Sequence, residues 1–219
     1  QALFAEKGVT FPKTMDEMLA ASRTLTDKNK GIYGMVGRGL KNANLPLYTS
    51  FLMGMDQDTV TPDGKSLLMN TDQAIWAGEL YKKLLTETAP PGTVGFNWME
   101  SQTSFSQGKV AMWIDGIGFS APLIDPTKSR VGKDVRFSPV PAGPKAQHSA
   151  TFCSGLSIPA ASKNKLAAWL YLQWAAGKEM GKEQVRLGAG TPPRASIWKD
   201  QSIQQGSPFP KEWFETSAE

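Results

Sequence analysis

Two kinds of side chain recur where predicted elements of this 219-residue chain end. One is the aromatic ring, whose flat face packs against apolar C–H surface. The other is the planar Asp, Glu, Asn or Arg group, which forks to adjacent hydroxyls. Asn97, Trp98 and Glu100 fall together in a loop ahead of a predicted helix, where polar side chains project from a fixed scaffold. Trp113 and Asp115 close a predicted strand and, two positions apart, point to the same side. Behind them Gly116 and Gly118 let a ligand approach the backbone. Arg38, after an earlier strand, and Arg194, after a pair of prolines, each offer a fork of donors, and Trp198 offers another ring face. Such groups suit recognition of a polyhydroxylated solute.

Each of these types also has a plainer use. A tryptophan is more often core than platform, and Trp169 and Trp174 read as core on the apolar face of a helix. Arg38 and Arg194 suit a solvated surface equally well. Asp115 is the strongest single candidate, because a carboxylate beside two glycines has little folding purpose.

Several chemistries are excluded by what is scarce. A single cysteine, Cys153, rules out an intramolecular disulfide, and with one histidine, His148, no ligand set for zinc is present. Cys153 reads as a buried thiol beside Phe152, and His148 as a solvated loop imidazole. The 24 basic and 20 acidic residues give a net charge of +4 and are interleaved, without the basic stripe that nucleic acid needs. The apolar stretch from Leu166 to Ala176 is broken by Gln173 and falls short of the ~20 residues of a membrane span. No nucleophile elbow, phosphate loop or dinucleotide fingerprint occurs, so no cofactor is expected. An enzymatic alternative stays open: a glycoside hydrolase using Glu100 and Asp115 as acid and base or nucleophile. A protein-binding module is a second alternative, and a binding protein for a non-sugar solute, such as a peptide, iron or a polyamine, is a third.

The elements that must hold these residues alternate in kind. Thr14, with Glu17 three positions on, starts a helix to about Thr26. Gly31–Gly37 reads as a short buried strand, Leu45–Met55 as a helix, and Asn70 or Thr71 caps a helix with an apolar stripe of Ile75, Gly78, Tyr81, Leu84 and Leu85. A helix from about Glu100 to Gln107 leads into the strand Lys109–Asp115. Val135–Pro141 and Phe152–Pro159 are further strand candidates, and helices follow over Asn164–Ala176, opened by Ser162, and over Lys178–Leu187. This alternation predicts an α/β fold with a sheet of at least three or four strands.

The order of four stretches resembles the sugar- and polyol-binding cluster of extracellular solute-binding proteins. Phe11-Pro12-Lys13-Thr14-Met15-Asp16-Glu17 is similar to the family's P-x-T-W-D-E helix start, with Met15 in place of Trp. Phe105-Ser106-Gln107-Gly108-Lys109-Val110-Ala111-Met112 is similar to F-x-x-G-K-x-A-M, Val140-Pro141-Ala142-Gly143-Pro144 to P-x-P-x-G-P, and Ser162-Lys163-Asn164-Lys165-Leu166-Ala167-Ala168-Trp169 to S-K-N-K-x-A-A-W. The resemblance implies a type II periplasmic-binding-protein-like fold, of which this chain, starting as if mid-helix at Gln1, holds the C-terminal lobe and crossover segments while most of the N-terminal lobe lies upstream. It further implies a stacking role for Phe119 and a hinge-side loop at Gly155 whose amides face the cleft. A sugar or polyol as ligand, the permease of an ABC importer as partner, a monomeric state, no catalysis, and a periplasmic or membrane-anchored extracellular location complete the expectation.

Overall fold

The computed structural model describes residues 2–150, 154–189, 191–192 and 194–218. Eleven α-helices appear among them: α1 (Ala2–Glu6), α2 (Met15–Leu25), α3 (Leu45–Met53), α4 (Asp72–Lys83), α5 (Trp98–Ser106), α6 (Ala121–Ile124), α7 (Lys165–Ala175), α8 (Lys178–Arg186), α9 (Ala195–Trp198), α10 (Gln201–Gly206) and α11 (Lys211–Ala218). Two strands, β1 (Tyr33–Val36) and β2 (Val110–Trp113), pair in parallel with Tyr33 opposite Val110, Met35 opposite Met112 and Val36 opposite Trp113. Parallel neighbours need a helical crossover, and here α3, α4 and α5 supply it.

The first helix of the core begins where the sequence requires. Thr14 Oγ1 accepts the Glu17 N–H at 3.2 Å, and Glu17 Oε2 accepts the Thr14 and Lys13 N–H groups, so donors at the helix start are satisfied by side chains. Met15, Met18, Ala21, Ser22 and Leu25 then recur at helical spacing and are buried. β1 lies directly on this helix: a Cβ at Gly34 would stand 1.9 Å from the Ser22 carbonyl oxygen, so only glycine fits.

Met15, Met18, Met35, Leu47, Phe51, Leu52, Ala74, Ala77, Leu80 and Leu84 form one core between α2, α3, α4 and β1. A second core joins the C-terminal helices through Val185, Ile197, Trp198, Ile203, Phe209, Trp213 and Phe214, and Ile117, Ala121, Ile124 and Phe137 pack against it. Each fully buried large apolar side chain contributes about 2 kcal/mol, so this cluster fixes the chain end firmly on the segment after β2.

Several expectations change. Val135–Pro141 is irregular and joins no ladder, and Pro139 and Pro141 have no N–H to donate to one. Ser154–Pro159 is likewise irregular, so the sheet among the described residues has two strands and not three or four. The start of that candidate strand and the Phe152–Cys153 pair lie outside the described residues. Of the expected stripe, Leu84 is fully buried and Tyr81 packs against the core, whereas Ile75 is exposed; on α4 itself the buried face is Ala74, Ala77 and Leu80, and the two alanines admit close packing of α3. α5 starts at Trp98 instead of Glu100, and α7 at Lys165 instead of Asn164. No residue of α7 is buried, and Trp169 and Trp174, expected in the core, are 53% and 58% exposed.

Candidate functional site

Register brings the first two site residues together. Val36 faces Trp113 across the parallel pair, so the residues two positions beyond each, Arg38 and Asp115, leave the sheet at the same edge. That edge is the carboxyl end of the strands, where ligands bind in open α/β sheets. The Arg38 guanidinium closes on the carboxylate in a fork: Nε donates to Oδ2 at 2.8 Å and Nη2 to Oδ1 at 2.6 Å. The Asp115 side chain is 5% exposed and that of Arg38 18%. Oδ1 also accepts the Gly116 N–H at 2.7 Å.

Two rings adjoin the fork. The Arg38 guanidinium carbon lies 5.3 Å from the centre of the Phe119 ring, a cation–π contact. Phe119 in turn stacks on Trp98, with centroids 4.8 Å apart and planes 12° from parallel. Trp98 is placed by the start of α5: its N–H donates to Asn97 Oδ1 at 2.8 Å, and the Asn97 N–H donates to Glu100 Oε2 at 2.9 Å, a capping box. The Arg38 loop is tied to the same point, since the Gly39 and Leu40 N–H groups both donate to the Phe96 carbonyl, at 3.0 and 2.9 Å. A side chain at residue 39 would collide with the Thr93 carbonyl, 2.1 Å from its Cβ, which is why the loop carries glycine there.

The structure therefore gathers Arg38, Asn97, Trp98, Asp115, Gly116 and Phe119, with Glu100 beside them in an exposed capping role rather than as a free carboxylate. Asn97 and Trp98 belong to the helix start and not to a loop before it. Trp113 packs on Phe105, centroids 6.2 Å apart, and its buried indole N–H has no hydrogen-bond partner among the described residues.

Three candidates lie elsewhere. Trp198 is buried in the C-terminal cluster, 5.1 Å from Trp213, and presents no platform: the apolar packing of α9 against α11 claims its ring. Arg194 is exposed and donates from Nε to the Ala176 carbonyl at 3.0 Å, so it closes the end of α7 and joins no fork. Gly155 stands exposed, with nothing within 4 Å of where a Cβ would be.

Two supporting residues escaped the sequence. Tyr81 donates its hydroxyl to the Arg38 carbonyl at 3.0 Å, and burial pushes its phenol above the usual range. Gln102, one turn along α5 from Trp98, donates from Nε2 to the Phe119 carbonyl at 2.7 Å. A Tyr on an apolar stripe and a Gln mid-helix give no local signal of such tertiary bonds.

A two-strand parallel sheet flanked by helices, with its polar groups gathered at the carboxyl end, is the α/β architecture of type II periplasmic binding proteins. The chain belongs to the bacterial extracellular solute-binding protein family, whose model it matches over residues 1–182. It is 26% identical over 206 residues to the erythritol/L-threitol-binding protein of Mycolicibacterium smegmatis, covering 90% of this chain and 43% of that protein. With the mannitol-binding protein of Pseudomonas aeruginosa it shares 29% identity over 105 residues, 48% of this chain and 24% of that one. A solute-binding protein of Agrobacterium radiobacter, solved in complex with ribitol, superposes with a TM-score of 0.85 at 28% identity, covering 99% of this chain and 55% of its own. The chain thus spans about half the length of the relatives it matches most fully.

Proposed function

We propose that this chain is about half of the solute-binding component of an ABC importer, and that it takes a sugar alcohol or sugar at the Arg38–Asp115 edge and delivers it to a membrane permease. One observation carries the reading: a forked ion pair and a stacked aromatic pair meet at the carboxyl ends of the two parallel strands. Arginine has five N–H donors, and the fork spends two of them on Asp115. The remainder face adjacent hydroxyls, while the exposed part of the Trp98–Phe119 stack lies against the C–H side of the chain. Names of relatives that bind erythritol, mannitol and ribitol favour an acyclic polyol over a large saccharide.

Binding without turnover fits the same geometry. Glu100 is spent on the start of its own helix and Asp115 on Arg38, so neither stands free as an acid or nucleophile. The proposed protein is monomeric and works in the periplasm, or on the outer face of a Gram-positive membrane. Its second lobe corresponds to the part of the relatives beyond the span matched here. The C-terminal lobe and crossover segments make up the present chain, and the exposed apolar side of α7, with Leu166, Trp169, Leu170 and Trp174, packs on that other lobe. Ligand then lies between lobes that close about it.

A thermal-shift screen of the complete protein against erythritol, ribitol, mannitol, glucose and maltose tests the proposal. A ligand held only by the folded state, at 100 times its Kd, adds about 2.7 kcal/mol of stability. A raised melting temperature with a polyol is expected. No shift with any of the five, or release of product from an oligosaccharide, contradicts it.

A further inference from the structure

Phe119 rides on a short turn, Ile117–Phe119, that ends at the buried Ser120. This turn is gripped from the far end of the chain. The indole N–H of Trp213 donates to Ser120 Oγ at 2.6 Å, a bond between residues 93 positions apart. While accepting that hydrogen bond, the Ser120 hydroxyl donates its own to the Ile117 carbonyl, to which the Ser120 N–H also donates at 3.2 Å. Gln102 holds the opposite side through the Phe119 carbonyl. Trp213 cannot swing away: it is 1% exposed, lies parallel to Phe209 at 4.0 Å and meets Phe214 edge-on at 5.0 Å.

We infer that Trp213, acting through Ser120, is a positioning residue for the Phe119–Trp98 stack, so that the C-terminal aromatic cluster sets solute affinity from outside the site. This rests on the reading of that stack as the solute platform. A ring that must lie within about 0.5 Å of its working position needs its backbone fixed by groups that are themselves locked by packing. Trp213 is such a group, and the indole N–H is the only part of it that reaches the turn as a donor.

The test compares three substitutions by calorimetric titration with ribitol, D-mannitol and erythritol, at a temperature where circular dichroism shows each variant folded. Trp213→Phe keeps the ring packing and removes the N–H; Ser120→Ala removes the acceptor; Phe214→Leu loosens the cluster and leaves the bond. The first two each weaken binding about tenfold, the equivalent of one lost buried hydrogen bond. Combined, they weaken it no more than either alone. Phe214→Leu lowers the melting temperature and leaves affinity unchanged. Unchanged affinity in Trp213→Phe, or equal loss in Phe214→Leu, overturns the inference. Should Trp213→Phe fail to fold, Ser120→Ala against Phe214→Leu decides it. An unsubstituted protein that binds none of the three polyols removes the platform reading, and the inference with it.

Discussion

Arg38 and Asp115, 77 residues apart in sequence, are joined because the strands that precede them are in register: each stands two positions past one member of the Val36–Trp113 pair. Their fork is mostly buried, so its two charges depend on each other more than on solvent.

Removing one partner therefore exposes the cost of the other. Asp115→Ala is expected to destabilise the fold by about 3 kcal/mol, because the Arg38 charge is left largely buried and unpaired. Replacing both, as Arg38→Met with Asp115→Leu, recovers most of that stability and none of the solute binding. Urea unfolding paired with calorimetric titration separates the two effects.

Trp98 is half-buried and stacks on a single ring. Trp98→Ala is expected to weaken polyol binding by at least tenfold, about 1.4 kcal/mol, while its stability loss stays at about 2 kcal/mol, the worth of a half-buried ring and its aromatic partner. Titration and thermal unfolding of the same variant check this.

Five carboxylates are held below their ordinary values by hydrogen bonds: Glu87 by Arg23, Glu183 by Arg186, Asp63 by Thr61, Asp125 by Thr127 and Asp200 by Ser202. A carboxylate whose folded pKa is depressed stabilises the fold above its unfolded value, and that contribution is lost as pH falls through the folded one. The melting temperature is thus expected to be flat near neutrality and to decline below the ordinary Glu and Asp values of 4.5 and 3.8. In Arg23→Ala the Glu87 share of that decline disappears. A pH series of melting curves on both proteins measures it.

The apolar side of α7 gives a test of lobe organisation. In the 219-residue chain alone, Leu170→Lys with Trp174→Lys is expected to change stability by no more than about 0.5 kcal/mol, since both side chains are exposed. If a second lobe covers this face as proposed, the same pair of changes in the longer protein costs several times as much. Matched unfolding curves on the two forms give the comparison.

The sequence foretold elements whose signals are local. The α2 capping box at Thr14 and Glu17 and the β1 and β2 strands were legible because each rests on residues within a few positions. Asp115 and Arg38 could be named singly, from strand ends and glycines, but not as a pair, since register is a tertiary property. Phe119 came from family likeness alone. Trp198 and Trp169 show the converse failure: one indole was expected at a ligand and is core, the other was expected in core and is exposed. An indole's use depends on what packs over it, and for Trp198 that partner, Trp213, is itself fixed only by the folded C-terminal helices. Val135–Pro141 had strand composition, yet its prolines, which have no N–H to donate to a ladder, outweighed propensity.

Calorimetric titration of the complete protein and of Asp115→Asn with ribitol, D-mannitol and erythritol is the most direct measurement. Saturable binding of at least one polyol by the first, lost or weakened a hundredfold or more (about 2.7 kcal/mol) in the second, is the expected result. Equal affinity in the two proteins would mean that the solute sits somewhere other than the Arg38–Asp115 edge.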